Sequence, residues 1–128
     1  MTSVEVPYSI AAALPTLSVM DITNEVAQSV ARSEQRDGIA YICATHGLSL
    51  VRVQERETGF FEDLECLLER VVPSEAPAHE RLVHALLGSR TEQVPFCEGH
   101  LCLGQWQRIM LFSLDAEYHS DWSLTLVG

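Results

Sequence analysis

The chain contains no lysine. All eight of its basic residues are arginine, set against eighteen aspartates and glutamates for a formal net charge of -10. Without lysine there is no Schiff-base chemistry and no lysine clamp for phosphate, so any phosphate must be held by arginine, backbone N–H groups, histidine or a metal. The acidic balance repels nucleic-acid backbones and anionic lipid surfaces, and predicts neither as a partner. Cysteine pairs of the CxxC kind are also absent. Cys43, Cys66, Cys97 and Cys102 are scattered, three of them in apolar runs, which predicts buried reduced thiols and a cytoplasmic setting. The N-terminus lacks a basic segment ahead of its apolar run, and Pro15 interrupts that run, so no signal peptide is expected. No window reaches the roughly 18 apolar residues of a membrane span.

What is present is enough apolar material for a core. At 128 residues and 47% apolar content, the chain is expected to form one autonomous domain over 1–128, without disulfide or metal staples. Its centre is 37–55, DGIAYICATHGLSLVRVQE, which reads as two short strands joined at His46-Gly47. By strand periodicity His46 shares a face with Ile42 and Ala44, and Glu55 shares one with Ser49, Val51 and Val53. A histidine and a carboxylate at the ends of apolar strands are the first candidates for a site.

Upstream, the alternation of residues 2–20 predicts two strands around Pro15. Asp21 or Thr23 is placed to cap a first helix with Ile22, Val26, Ala27 and Val30 inward, and Gly38 to close it. A second helix opens at Thr58-Gly59 and stops at Pro73, with Phe60, Phe61, Leu64, Leu67, Leu68 and Val71 as its apolar stripe. A short third helix follows Pro77, with Leu82, Val83, Leu86 and Leu87 inward and Gly88 as its cap. Strands are expected at 91–96, 100–103, 108–114 and 122–127, with a turn at Glu98-Gly99. Helices and strands mix without βαβ alternation, so the fold class is α+β, a two-sheet, sandwich-like core with two main helices and one short one.

His79 and His84 are five positions apart, about 140° around a helix, and cannot both serve one ion from a regular helix. Trp106 is suited to filling a corner between sheets or to walling a pocket, with Gln107 offering its amide. Arg108 is suited to a phosphate contact or to a salt bridge. His100 and His119 read as surface residues.

Several segments in order resemble the YjbQ-like family, also called the secondary thiamine-phosphate synthase family. They are DIT at 21–23, GIAYICATH at 38–46, the Gln54-Glu55 pair, LERVVP at 68–73, ALLG at 85–88 and LGQWQ at 103–107. The resemblance spans nearly the whole chain. It implies a homotrimer with pockets near the subunit contacts, and weak thiamine-phosphate-synthase-like activity on a phosphorylated heterocycle. It places His46 and Glu55 in catalysis and Ser49, Gln54, Trp106, Gln107 and Arg108 around the substrate. A divalent metal, zinc or magnesium, would take His46 with one of His79 and His84. The chain also departs from the family. The HTT(A/S) motif becomes His46-Gly47-Leu48-Ser49, the segment before the third helix is shortened to SEAPAHERLVH, and a terminal basic motif becomes Ala116-Glu117-Tyr118. These departures imply the alternative of a non-catalytic trimeric binding or scaffold protein.

Overall fold

The computed structural model describes residues 4–6, 18–45, 47–55, 58–72, 75–88, 90–114 and 121–128. In chain order the elements are β1 (Val4–Val6), β2 (Ser18–Asp21), α1 (Thr23–Arg32), β3 (Gly38–Ala44), β4 (Ser49–Glu55), α2 (Thr58–Val71), α3 (His79–Leu87), β5 (Thr91–Cys97), β6 (His100–Leu101), β7 (Gln107–Ser113) and β8 (Trp122–Val127). The strands form two four-stranded sheets, β1-β2-β7-β4 and β6-β5-β3-β8, with antiparallel pairing throughout. This is the expected α+β sandwich with three helices. β3 and β4, adjacent in sequence, lie in different sheets, so the chain crosses between the layers after Ala44.

Alternation along each strand decides which layer its side chains fill. Ile109 and Leu111 of β7 and Val51 of β4 meet Ala40, Ile42 and Ala44 of β3, Val94 and Phe96 of β5, and the inner stripe of α1, Ile22, Val26 and Val30. The intervening residues, Leu50, Met110 and Phe112, face the other way and pack under α2 and α3 through Leu68, Val72, Val83 and Leu87. β7 is therefore covered on both faces, which is why it reads as a nearly continuous apolar run.

Local chemistry explains the element ends. α1 starts at Thr23, whose N–H donates to the Asp21 carboxylate at 3.0 Å, and it ends at Ser33. Gly38 does not close that helix. It opens β3, where an added Cβ would lie 2.2 Å from the Val127 carbonyl oxygen of β8. Gly88 caps α3 as expected, its N–H donating to the His84 carbonyl at 3.2 Å. Glu98 (φ 53°) and Gly99 (φ 79°) make the two-residue turn joining β5 to β6, both in the left-handed region that a type I′ hairpin requires.

Several burial expectations are corrected. Leu67 and Val71 of α2, and Leu82 and Leu86 of α3, are exposed, while Val72 and His79 take inward places. The helices meet the sheet along narrower stripes than their apolar content suggests. Cys66, Cys97 and Cys102 are exposed and Cys43 is half-buried; all four are free thiols. No described helix is long and apolar enough to cross a membrane.

Candidate functional site

β4 carries the predicted site residues at its two ends. Ser49 and Glu55 are six positions apart, about 20 Å at the rise of an extended strand. His46 lies outside the described residues; Thr45 and Gly47, which flank it, belong to the Ser49 end. His84 is at that end as well, its ring Nε2 2.9 Å from the Ser49 carbonyl oxygen. Because a carbonyl only accepts, this contact sets Nε2 as the protonated, donating nitrogen. α3 runs alongside β4 in the same direction, with His84 against Ser49 and the Leu87 carbonyl accepting from the Arg52 guanidinium. His79 is five residues, about 7.5 Å of helix axis, further back. It is not a surface residue, being only 6% exposed.

Ser49 is buried on the inter-sheet face, directly opposite Ser113 of β7. Among the described residues neither hydroxyl has a hydrogen-bond partner. A buried unpaired hydroxyl costs about 1–3 kcal/mol, so this pair is a polar strain point in an otherwise apolar layer.

The other end of β4 gathers the remaining candidates. Glu55 is exposed opposite Gln107, and Gln54 stands opposite Arg108. The Gln107 Oε1 accepts from the Gly104 N–H at 2.7 Å, which closes the LGQWQ turn. Trp106 fills no corner between sheets: it is 69% exposed. The Arg108 Nε donates to the Asp21 Oδ2 at 2.7 Å. Burial alone would raise the Asp21 pKa, but the hydrogen bonds from Arg108 and Thr23 outweigh it and hold the carboxyl below its ordinary value. Asp21, read from sequence only as a helix cap, is thus the anchor of the arginine assigned to phosphate.

Other arginines are similarly occupied. Arg36 donates to the Glu98 carbonyl at 2.7 Å, Arg90 to the Ala44 carbonyl at 3.2 Å, and Arg52 to the end of α3. Sequence reasoning also missed Glu92, whose carboxylate accepts the outward N–H of Val53 at 2.9 Å and so covers the free edge of β4. No strand-period signal could have found it, because the contact joins two sheets. Among the described residues no three His, Cys, Asp or Glu side chains converge to hold a metal; the bond to the Ser49 carbonyl makes Nε2 of His84 the donor and leaves the lone pair on Nδ1. The described residues alone therefore do not fit a zinc or magnesium site.

A cavity of about 290 Å³ opens between α2, α3 and the first sheet, with Phe60, Leu64 and Phe112 among its apolar walls and Arg52 and Gln54 as its polar members. Of the predicted substrate residues, Gln54 is the one it contains. Glu55 points to the opposite face of β4 and is not among its lining residues.

The fold and the arrangement of these residues define a two-sheet α+β protein of the YjbQ type. The family profile described as UPF0047 protein YjbQ-like matches residues 12–128, and the chain belongs to this family. It is 32% identical over 107 residues to a UPF0047 protein of Archaeoglobus fulgidus, covering 77% of this chain and 82% of that relative. A UPF0047 protein of Methanothermobacter thermautotrophicus is 32% identical over 121 residues, 88% of this chain and 84% of the relative. Among solved structures, an uncharacterised YjbQ/UPF0047 protein of Clostridium acetobutylicum superposes with a TM-score of 0.79 at 21% identity, covering 99% of this chain and 100% of that one. A YbjQ-like protein of unknown function from Sulfolobus solfataricus gives 0.71 at 27% identity, over 88% and 84%.

Proposed function

We propose that this chain is a homotrimeric binding protein for a small phosphorylated heterocycle, with its site shared between copies and with weak or absent thiamine-phosphate-synthase-like turnover. The observation that carries this reading is the division of the candidates between the two ends of β4. Glu55, Gln54, Trp106, Gln107 and Arg108 lie about 20 Å from the strand end flanked by the His46 segment and His84. A second copy that brings the Glu55 end of one chain against the His46 end of the next gives the histidine and the carboxylate a common ligand. In such a site His46 and Glu55 handle protons, the exposed Trp106 indole stacks on the heterocycle, and the part of the Arg108 guanidinium not facing Asp21 meets phosphate.

Turnover demands more. Joining a thiazole phosphate to a pyrimidine pyrophosphate forms a C–N bond as the C–O bond to pyrophosphate breaks, and the departing anion needs positive charge. Arg36, Arg52, Arg90 and Arg108 already serve carbonyls or Asp21, in a chain of net charge -10. Binding with little catalysis is the balance these contacts favour.

The test uses mixed oligomers. His46→Ala and Glu55→Ala each abolish calorimetric binding of a thiazole phosphate. Refolding the two variants together regenerates roughly a quarter of the sites, since a shared site draws each group from a different chain. No recovery, with both variants still oligomeric, overturns the shared site. Rapid thiamine-phosphate formation by the unmodified protein with Mg²⁺, abolished by His46→Ala, overturns the claim of weak turnover.

A further inference from the structure

Along β4, Leu50, Arg52 and Gln54 share the face that looks toward α2 and α3. Leu50 is core there, but the next two open into the cavity of about 290 Å³ between those helices and the first sheet. Phe60, Leu64 and Phe112 wall the cavity, and Leu67 and Leu86 border its mouth. Both of these leucines are 56% exposed. Exposed leucines around the mouth of an apolar cavity mark a place suited to an apolar ligand.

A single charge stands among these walls. Arg52, half-buried, is the one ionisable side chain among the described residues that line the cavity. The Leu87 carbonyl at the end of α3 accepts from its guanidinium, where the negative end of the helix dipole helps to hold it. That contact uses one of five N–H donors, and among the described residues no carboxylate pairs with Arg52. Two positions further along the same face, the Gln54 amide can both donate and accept. A cation set against apolar walls without a counter-charge favours an anion beside it.

We infer that this cavity is a binding site for a small aromatic monocarboxylate, with the ring among Phe60, Leu64 and Phe112 and the carboxylate on Arg52 and Gln54. Volume limits the ligand. An apolar cavity of about 150 Å³ holds one benzene, so about twice that holds one ring with a short acid arm. The two phenyl rings in the walls favour an aromatic ligand, which can meet them edge to face. Charge selects the acid. One guanidinium, already engaged on one side, balances a carboxylate, whereas a phosphate dianion leaves a surplus of negative charge in a chain that carries -10. The site lies within one chain and needs no second copy. It is separate from the shared site proposed above, since Glu55 points to the other face of β4.

NMR titration of the full chain with 3-phenylpropionate is the test. Saturable binding with a dissociation constant below about 1 mM is expected, with shifts centred on the Arg52 Nε–H and the amides of Leu64 and Leu87. The uncharged 3-phenylpropionamide has nearly the same shape and is expected to bind roughly tenfold more weakly. Arg52→Met weakens the acid by about the same factor and leaves the amide probe unchanged. Arg36→Met removes an equal charge at the β5-β6 turn, in the other sheet, and leaves both probes unchanged. Because Arg52→Met also loses the bond to Leu87, Leu64→Trp serves as a second variant that narrows the cavity. It is expected to weaken both probes alike, by roughly tenfold, with circular dichroism unchanged. The inference is overturned if the acid does not bind, if 3-phenylpropionamide or phenyl phosphate binds as tightly as the acid, if Arg52→Met affects the acid no more than Arg36→Met does, or if a folded Leu64→Trp binds the acid as before.

Discussion

Asp21 does three things with one side chain at 1% exposure: it ends β2, accepts from the first N–H of α1, and holds Arg108. A carboxylate this enclosed is tolerable only because donors surround it. Asp21→Asn keeps the shape and loses the charge, and is expected to cost about 1–3 kcal/mol in urea unfolding. Arg108→Met should cost at least as much, since it strands the carboxylate inside. The double variant should cost less than the sum of the two, and additivity would show that the pair is not coupled. Acid follows the same logic. The folded-state pKa of Asp21 lies below its ordinary 3.8, so its contribution is fully present above that value and is lost as pH falls through the depressed one. The unmodified protein should therefore lose stability more steeply than Asp21→Asn below about pH 3.8, and equal slopes would refute the assignment. Sequence placed the helix cap at Asp21 or Thr23; the N-cap is Ile22, without a side-chain cap bond, and Asp21 accepts the Thr23 N–H from one residue further out. Its bond to Arg108 spans 87 positions and leaves no trace in local pattern.

At the scale of elements, β3 and β8 approach so closely at Gly38 that the absent side chain is itself a packing feature. Gly38→Ala would press a methyl into the Val127 carbonyl and the chain end beside it. The expected cost is about 1–3 kcal/mol, with hydrogen-exchange protection lost first along β8. Unchanged protection at Leu124 and Leu126 would mean that the strands part without cost. Much of the element order was legible because its signals are local: Pro73 after α2, Gly88 after α3, the Glu98-Gly99 turn, and period-two alternation from Thr91 to Phe96. What could not be read was the assignment of strands to sheets. Alternation tells which residues of β3 and β4 share a face, but not that the chain changes layers between them. The face of each helix that meets the sheet was misjudged for a related reason. A wide apolar stripe on α2 or α3 does not reveal which part of it the first sheet covers, and Leu67 and Leu86 fell outside. The site suffered most from this. Ser49, Gln54 and Glu55 sit close together in sequence, yet the strand sends Ser49 into the core, Gln54 toward the helices and Glu55 to an exposed end.

For the molecule as a whole, a net charge of -10 with only arginine to offset it governs how copies behave toward one another. An interface held by ion pairs weakens as salt screens its attractions. An interface between two acidic bodies through an uncharged face behaves in the opposite way, because salt screens the repulsion between everything outside the contact while apolar burial within it is left intact. The Debye length falls from about 30 Å at 0.01 M to about 8 Å at 0.15 M ionic strength, which spans the distances between carboxylates on neighbouring copies. The proposed oligomer is therefore expected to tighten as salt rises over that range, by several-fold in dissociation constant, and its melting temperature to climb with protein concentration because association stabilises the folded chain. Sedimentation equilibrium at the two ionic strengths, with melting curves at several protein concentrations, checks both. Dissociation promoted by salt would place ion pairs at the contact, on a surface where arginines and carboxylates alternate.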